Sequence, residues 1–263
     1  MKSEKGDIMG KDGLVPIIEG FNEKEEFLYS DEYQFIKGYA VGRRLTNTLR
    51  ALPLARQVHN GQYRKGETVI DGVSYRLPYV LHVLKVTNTL ISISPPMPDD
   101  ELDILLTCAL LHDVIEDNDG YFKNEGLELV TEHGFPEIVY TVVRMLSKYH
   151  GATEAELNHY FNAIKRNKFA LLVKMADRSH NVEDLYNMSV EKLHKYVKET
   201  RDYIYPLSTY AKAHYPELSN SVTILKSKIV SLTELTETLV NKYDAVLAEK
   251  DREIERLKRN TAG

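Results

Sequence analysis

The sequence predicts an all-α fold, a helical bundle with an N-terminal extension and a long C-terminal amphipathic helix. Three observations predict it. Apolar residues recur at helical spacing through most of the chain from Glu25 onward. Firm breakers such as Ser94-Pro95-Pro96-Met97-Pro98 separate those stretches. Residues 220–259 contain neither proline nor glycine, so nothing in them stops a helix.

Residues 1 to about 24 are polar and glycine-bearing, as expected of a loose or docked extension. Glu25 to Arg50 fits one or two helices, weakly specified around Gly38 and Gly42. Residues 51–60 read as a helix opened by Pro53 near its first turn and closed by Gly61. Gln62 to Leu77 is polar, with an Asp71-Gly72 turn signal, and reads as a small hairpin or an irregular loop. Leu77 to Ser92 returns to helical spacing, and Asp99 or Asp100 is expected to cap the central helix. A weaker helix is expected up to His133, stopped by Gly134, and another from Pro136 to about Ser147. Helices follow at 154–166, 168–185 and 188–215, the last interrupted near Pro206. In the tail Leu225, Ile229, Leu232, Leu239, Tyr243, Val246 and Leu257 fall on alternating spacings of four and three. Thr236, Lys250 and Glu253 interrupt that seam, which still predicts a long helix packing on the body or on another subunit. The expected division is an extension at 1–48, a domain at 49–216 and a helical tail at 217–263.

With 263 residues, 43% apolar and 28% charged, the composition is that of an ordinary globular protein with a sizeable core. A net charge of −5 and no long basic block argue against a nucleic-acid-coating protein, while leaving room for a local basic pocket. The single Cys108 lies in an apolar run, which excludes a disulfide framework and a cysteine-based zinc site. There is no run of about 18 apolar residues and no signal-like N-terminus, so the expected location is cytoplasmic.

The central helix carries the chemistry. An apolar run from Ile104 ends in His112, Asp113, Glu116 and Asp117. Read as one continuous helix, Glu116 stands a turn above His112, and Asp117 a turn above Asp113. Three carboxylates at one helix end oppose the macrodipole and repel one another unless a cation joins them. Two further stretches offer matching donors. His82 sits in an apolar helical frame, and Asp177 and Asn181 stand four apart after another apolar segment. A set of His82, His112, Asp113 and Asp177 suits manganese, iron or zinc better than calcium. Arg178 reads as a structural residue turned outward to an acid, and His59 as one of several surface or core histidines.

Four ordered motifs carry a resemblance. They are Gly61-Gln-Tyr-Arg-Lys-Gly66, Pro78-Tyr-Val-Leu-His82, His112-Asp-Val-Ile-Glu-Asp117 and Ala176-Asp-Arg-Ser-His-Asn181. With Gly134-Phe-Pro-Glu-Ile-Val139 between the last two, residues 50 to 210 resemble the hydrolase domain of RelA/SpoT-type stringent-response proteins in the HD phosphohydrolase superfamily. The resemblance implies an HD-domain helical bundle in which His82, His112, Asp113 and Asp177 bind one metal, typically Mn2+. It implies that Glu116 and Asp117 position and activate the attacking water, and that Arg64, Lys65 and Asn181 meet the nucleotide. The implied reaction removes the 3′-pyrophosphate of the alarmones ppGpp or pppGpp, giving GDP or GTP.

The chain departs from that pattern in three places. Extra residues lie around Glu67 to Tyr75, His82 is followed by Val83 rather than proline, and Glu183-Asp184 follows the last motif. No synthetase half follows the domain, so the expectation is a stand-alone small alarmone hydrolase. Other readings stay open: an HD enzyme for another nucleotide (ppApp-like, NADPH or a nucleoside monophosphate), or a nucleotide-sensing regulator of antitoxin type. The expected partners are the guanine nucleotide, no nucleic acid polymer and no membrane, with a homo-oligomer or partner protein at the C-terminal helix.

Overall fold

A computed structural model describes residues 26–116, 121–148 and 151–261. Among the described residues the regular structure is helical apart from one hairpin, and the chain forms two compact units that divide between Val173 and Lys174. Among the described residues no helix is long and apolar enough to cross a membrane.

The N-terminal unit begins with α1 (Ser30–Arg43) and α2 (Thr46–Val58). The predicted start of α2 is corrected: Pro53 lies inside the helix rather than near its first turn. What starts α2 comes from elsewhere in the chain. Asp103 is buried and accepts from the Asn47 and Thr48 backbone N–H groups at 3.0 and 2.7 Å, and from the Thr48 hydroxyl at 2.7 Å. A carboxylate from a later helix thus caps the N–H groups that α2 cannot satisfy itself.

Residues 63–78 form a hairpin of β1 (Tyr63–Ile70) and β2 (Val73–Pro78), antiparallel, turning at Asp71-Gly72 with positive φ at both. Positive φ at both turn positions matches the twist of paired strands, and Asp-Gly supplies it. The ladder is regular from Ile70↔Val73 to Glu67↔Arg76 and then jumps to Tyr63↔Pro78. Arg64, Lys65 and Gly66 therefore face Leu77 alone, a bulge beside the next helix.

Helices α3 (Val80–Ile93) and α4 (Asp99–Leu111) form the core of this unit. α4 packs on α2 and α3 and is buried on nearly every side from Leu102 to Leu111. The expected cap is corrected: Pro98 stands at the N-cap and no side chain caps the helix. Asp99, Asp100 and Glu101 instead occupy the first turn, where negative charge suits the macrodipole. Short α5 (Glu128–Thr131), α6 (Glu137–Leu146) and α7 (Glu154–Ile164) complete the unit, with α6 packed on α4. α5 is one turn long, shorter than the sequence suggested. Helix α8 (Lys168–Asn181) contains the division between the units.

The C-terminal unit continues with a 3-10 turn at Val182–Asn187 and α9 (Val190–Glu199). A π turn (Thr200–Ile204) leads into α10 (Tyr205–His214). That widened turn falls just before Pro206, which has no N–H to give the Asp202 carbonyl. The 43-residue α11 (Ser219–Thr261) follows, and α9 and α10 both pack on it. Val222, Leu225, Ile229 and Thr233 make its buried face.

Candidate metal centre

Three of the expected ligands meet in the N-terminal unit. His82 lies in the first turn of α3, and His112 and Asp113 follow directly on α4. One ligand atom from each lies within 4.8 Å of the others. His112 Nε2 is 3.0 Å and His82 Nε2 3.6 Å from the same Oδ2 of Asp113. Both imidazoles are buried, while Asp113 keeps partial access to solvent.

Tautomer chemistry shows what this geometry needs. His112 Nδ1 lies 2.7 Å from the Ala109 carbonyl, which can only accept, so Nδ1 carries the proton. In the neutral ring Nε2 then presents a lone pair toward a carboxylate oxygen. Two electron-rich atoms at 3.0 Å call for a positive charge between them, a second proton on the His112 ring or a bound cation. A ring N–H held by a backbone carbonyl is also the usual support of a metal-binding histidine. Two imidazole nitrogens and a carboxylate are a donor set that fits a divalent first-row metal.

Side chains around the cluster hold it. The Tyr79 hydroxyl donates to Asp113 Oδ2 at 2.7 Å. The Tyr79 ring packs edge-on against His82 and tilted against His59, with centroids 5.6 and 4.8 Å apart. His59 lies just past the end of α2, buried, with Nδ1 2.7 Å from Gln62 Oε1. Burial pushes its pKa down to about 4, against smaller opposing effects from Gln62 and Asp113. The sequence reading allowed His59 a core place but no link to the site. No spacing rule ties it to His82, and only the hairpin return brings Tyr79 onto it.

The helix expected through Asp117 ends at Leu111, and His112 to Glu116 form turns. The stacking of Glu116 over His112 is therefore corrected. In a helix, successive side chains point about 100° apart, yet His112 Nε2 and Asp113 Oδ2 lie 3.0 Å apart at this turn. Glu116 turns to the end of α6, where its Oε2 accepts from the Lys148 backbone N–H at 2.8 Å. Asp117 lies outside the described residues. Arg64 sits at the bulge with its guanidinium 5.8 Å from the Tyr79 ring centre, and Lys65 beside it is exposed.

Asp177 and Asn181 belong to the C-terminal unit. Asp177 is buried; its Oδ2 accepts from Lys174 at 2.9 Å and its Oδ1 from Asn181 Nδ2. The outward reading of Arg178 is corrected. Arg178 is buried, paired with Glu199, 3.2 Å from the Thr200 hydroxyl and 4.1 Å from the Tyr196 ring centre. Burial alone would lower its pKa, but Tyr196, Glu199 and Asp177 raise it further, so the charge stays.

Comparison with known proteins agrees with this geometry. Residues 79–182 match the HD domain family, a segment that begins at Tyr79 and ends just past Asn181. The bifunctional (p)ppGpp synthase/hydrolase SpoT of Escherichia coli strain K12 is 27% identical over 195 residues, 72% of this chain and 25% of SpoT. A guanosine-3′,5′-bis(diphosphate) 3′-pyrophosphohydrolase of Haemophilus influenzae is 30% identical over 160 residues, 59% of this chain and 21% of that protein. A GTP pyrophosphokinase of Myxococcus xanthus is 32% identical over 170 residues, 60% of this chain and 20% of that protein. The chain thus spans about a quarter of the length of the first of these relatives. Residues 79–182 are thus similar to an HD domain, and the similar proteins include a (p)ppGpp synthase/hydrolase, a guanosine-3′,5′-bis(diphosphate) 3′-pyrophosphohydrolase and a GTP pyrophosphokinase.

Proposed function

We propose that the chain is a manganese-dependent phosphohydrolase that removes the 3′-pyrophosphate of ppGpp or pppGpp, giving GDP or GTP and pyrophosphate. The observation that carries this reading is the convergence of His82, His112 and Asp113, with the His112 lone pair directed at a carboxylate oxygen. Asp177 is the proposed fourth ligand. When bound, the metal supplies Lewis acidity and lowers the pKa of water toward neutrality.

The chain's own groups do the rest. Tyr79 holds Asp113 Oδ2 and the Ala109 carbonyl holds the His112 ring, so the donors need little reorganisation. Glu116, which accepts from the Lys148 N–H through one oxygen, and Asp117 would take the proton of the attacking water. Arg64 stacks on a base or pairs with phosphate, Lys65 contributes a point charge, and Asn181 donates to the nucleotide. The hairpin at residues 63–78 is where the chain departs from the compact family loop, so a second reading stands beside the first: an HD phosphohydrolase for another nucleotide, such as an adenine alarmone.

Purified protein with manganese is tested against ppGpp, pppGpp, ppApp and NADPH, with products resolved by chromatography. ppGpp should yield GDP. Glu116→Gln with Asp117→Asn should lower turnover by about a hundredfold or more, while metal content stays near that of the wild type. Undiminished turnover in the double variant would sink the mechanism. Binding of a nucleotide without turnover by the wild type would favour the regulatory reading.

A further inference from the structure

Helix α11 changes character along its length. One face of its first half is buried against α9 and α10, and the His194–Asp244 pair at 3.1 Å still ties it to α9. Apolar residues then continue at helical spacing without cover. Tyr243, Val246, Leu247, Ile254 and Leu257 are each 45% to 58% exposed. A helix of about 15 residues alone in water is marginal. Large apolar residues in a row along such a segment call for a covering surface.

The charges in the seam say which surface. Tyr243, Val246, Lys250, Glu253 and Leu257 occupy alternating a and d positions. A parallel, in-register copy would set Lys250 beside Lys250 and Glu253 beside Glu253. An antiparallel copy, with the two-fold axis between Asp251 and Arg252, sets Lys250 against the partner's Glu253 and Val246 against the partner's Leu257. On the flanks the same register sets Glu249 against the partner's Arg256 and Leu247 against the partner's Ile254. Each match occurs twice, as a self-complementary two-fold interface requires. Within one chain Lys250 and Glu253 already lie 3.4 Å apart, so the four charges of two copies form one alternating ring. We propose that residues 243–257 of α11 pair antiparallel with the same segment of a second copy and hold the protein as a dimer.

Light scattering on the full chain should give twice its 30.2 kDa mass. Lys250→Glu alone and Glu253→Lys alone should each weaken the dimer by about tenfold or more, by turning two attractive pairs into repulsive ones. The double exchange should restore it, which separates lost pairing from lost folding. Under mild oxidation the Val246→Cys/Leu257→Cys variant should cross-link between chains, but Val246→Cys alone should not. In the antiparallel register the two copies of position 246 are offset by about 16 Å along the axis, well past disulfide reach of roughly 7 Å. Three results would each overturn the proposal: a monomer at all concentrations, cross-linking by Val246→Cys alone, or a dimer that persists after truncation at Asp244.

Discussion

Tyr79 and His59 show how much of the centre rests on residues that would never touch the metal. Tyr79 fixes the Asp113 oxygen that both imidazoles face. Replacing it with phenylalanine keeps the ring packing against His59 and His82 but frees that oxygen. Loss of such a supporting hydrogen bond typically weakens metal binding by about ten- to a hundredfold. Tyr79→Phe should do so in a manganese titration with little change in unfolding midpoint without metal; unchanged affinity would assign Tyr79 to packing only. His59 gives a pH prediction. Its folded pKa, about 4, is below the ordinary histidine value of 6.5, so the unfolded chain binds more protons between those limits. The stability this represents is complete above about pH 6.5 and is lost as pH falls through 4, in all about 3 kcal/mol. Urea unfolding in chelator at pH 7 and pH 4.5 should show a fall that His59→Gln removes in large part. Equal falls in both proteins would place the acid sensitivity elsewhere.

At the scale of elements, the decisive piece is the turn after α4. The sequence showed its residues and not its shape. His112, Asp113 and Glu116 were legible because an apolar run ends abruptly in four polar groups, and a burial pattern of that kind survives any local geometry. The end of the helix at Leu111 was not legible, because no proline or glycine between Leu111 and Glu116 marks a stop. Gly126 packs against the turn at Ile115. It holds φ at +83°, and a Cβ there would run into the Ile115 side chain. Gly126→Ala should therefore destabilise the protein by about 1–3 kcal/mol and disturb Glu116 next to Ile115. Thermal unfolding and turnover read the two effects, and a neutral substitution would show that the turn has slack. The hairpin was half legible in the same way. Asp71-Gly72 announced a turn, whereas the bulge at Arg64 to Gly66 depends on pairing with residues beyond the turn. Asp103 was missed for a related reason: a cap supplied across about 55 residues leaves no local spacing to read.

For the whole molecule, the proposed metal binding would form one equilibrium with folding. His82 comes from the start of α3 and His112 and Asp113 from the end of α4, so only the folded chain brings the three together. A ligand that binds only the folded state stabilises it by RT ln(1 + [L]/Kd), about 2.7 kcal/mol at a hundredfold excess over Kd. For a protein of this size, 1 kcal/mol moves the melting temperature by about 2–4 °C. Manganese at such an excess should raise Tm by about 5–10 °C over the chelated protein, and added chelator should reverse the shift. His112→Ala should erase the response, because it leaves one imidazole and one carboxylate in the cluster. Asp177→Ala examines the proposed fourth ligand. A clear loss of the manganese shift, with Tm in chelator close to that of the wild type, assigns Asp177 to the metal. A retained shift instead leaves its carboxylate to Lys174 and Asn181, with which it already bonds. Since the readout is unfolding rather than turnover, the result does not depend on the proposed substrate. An identical Tm with manganese and with chelator in the wild type would remove the metal centre itself.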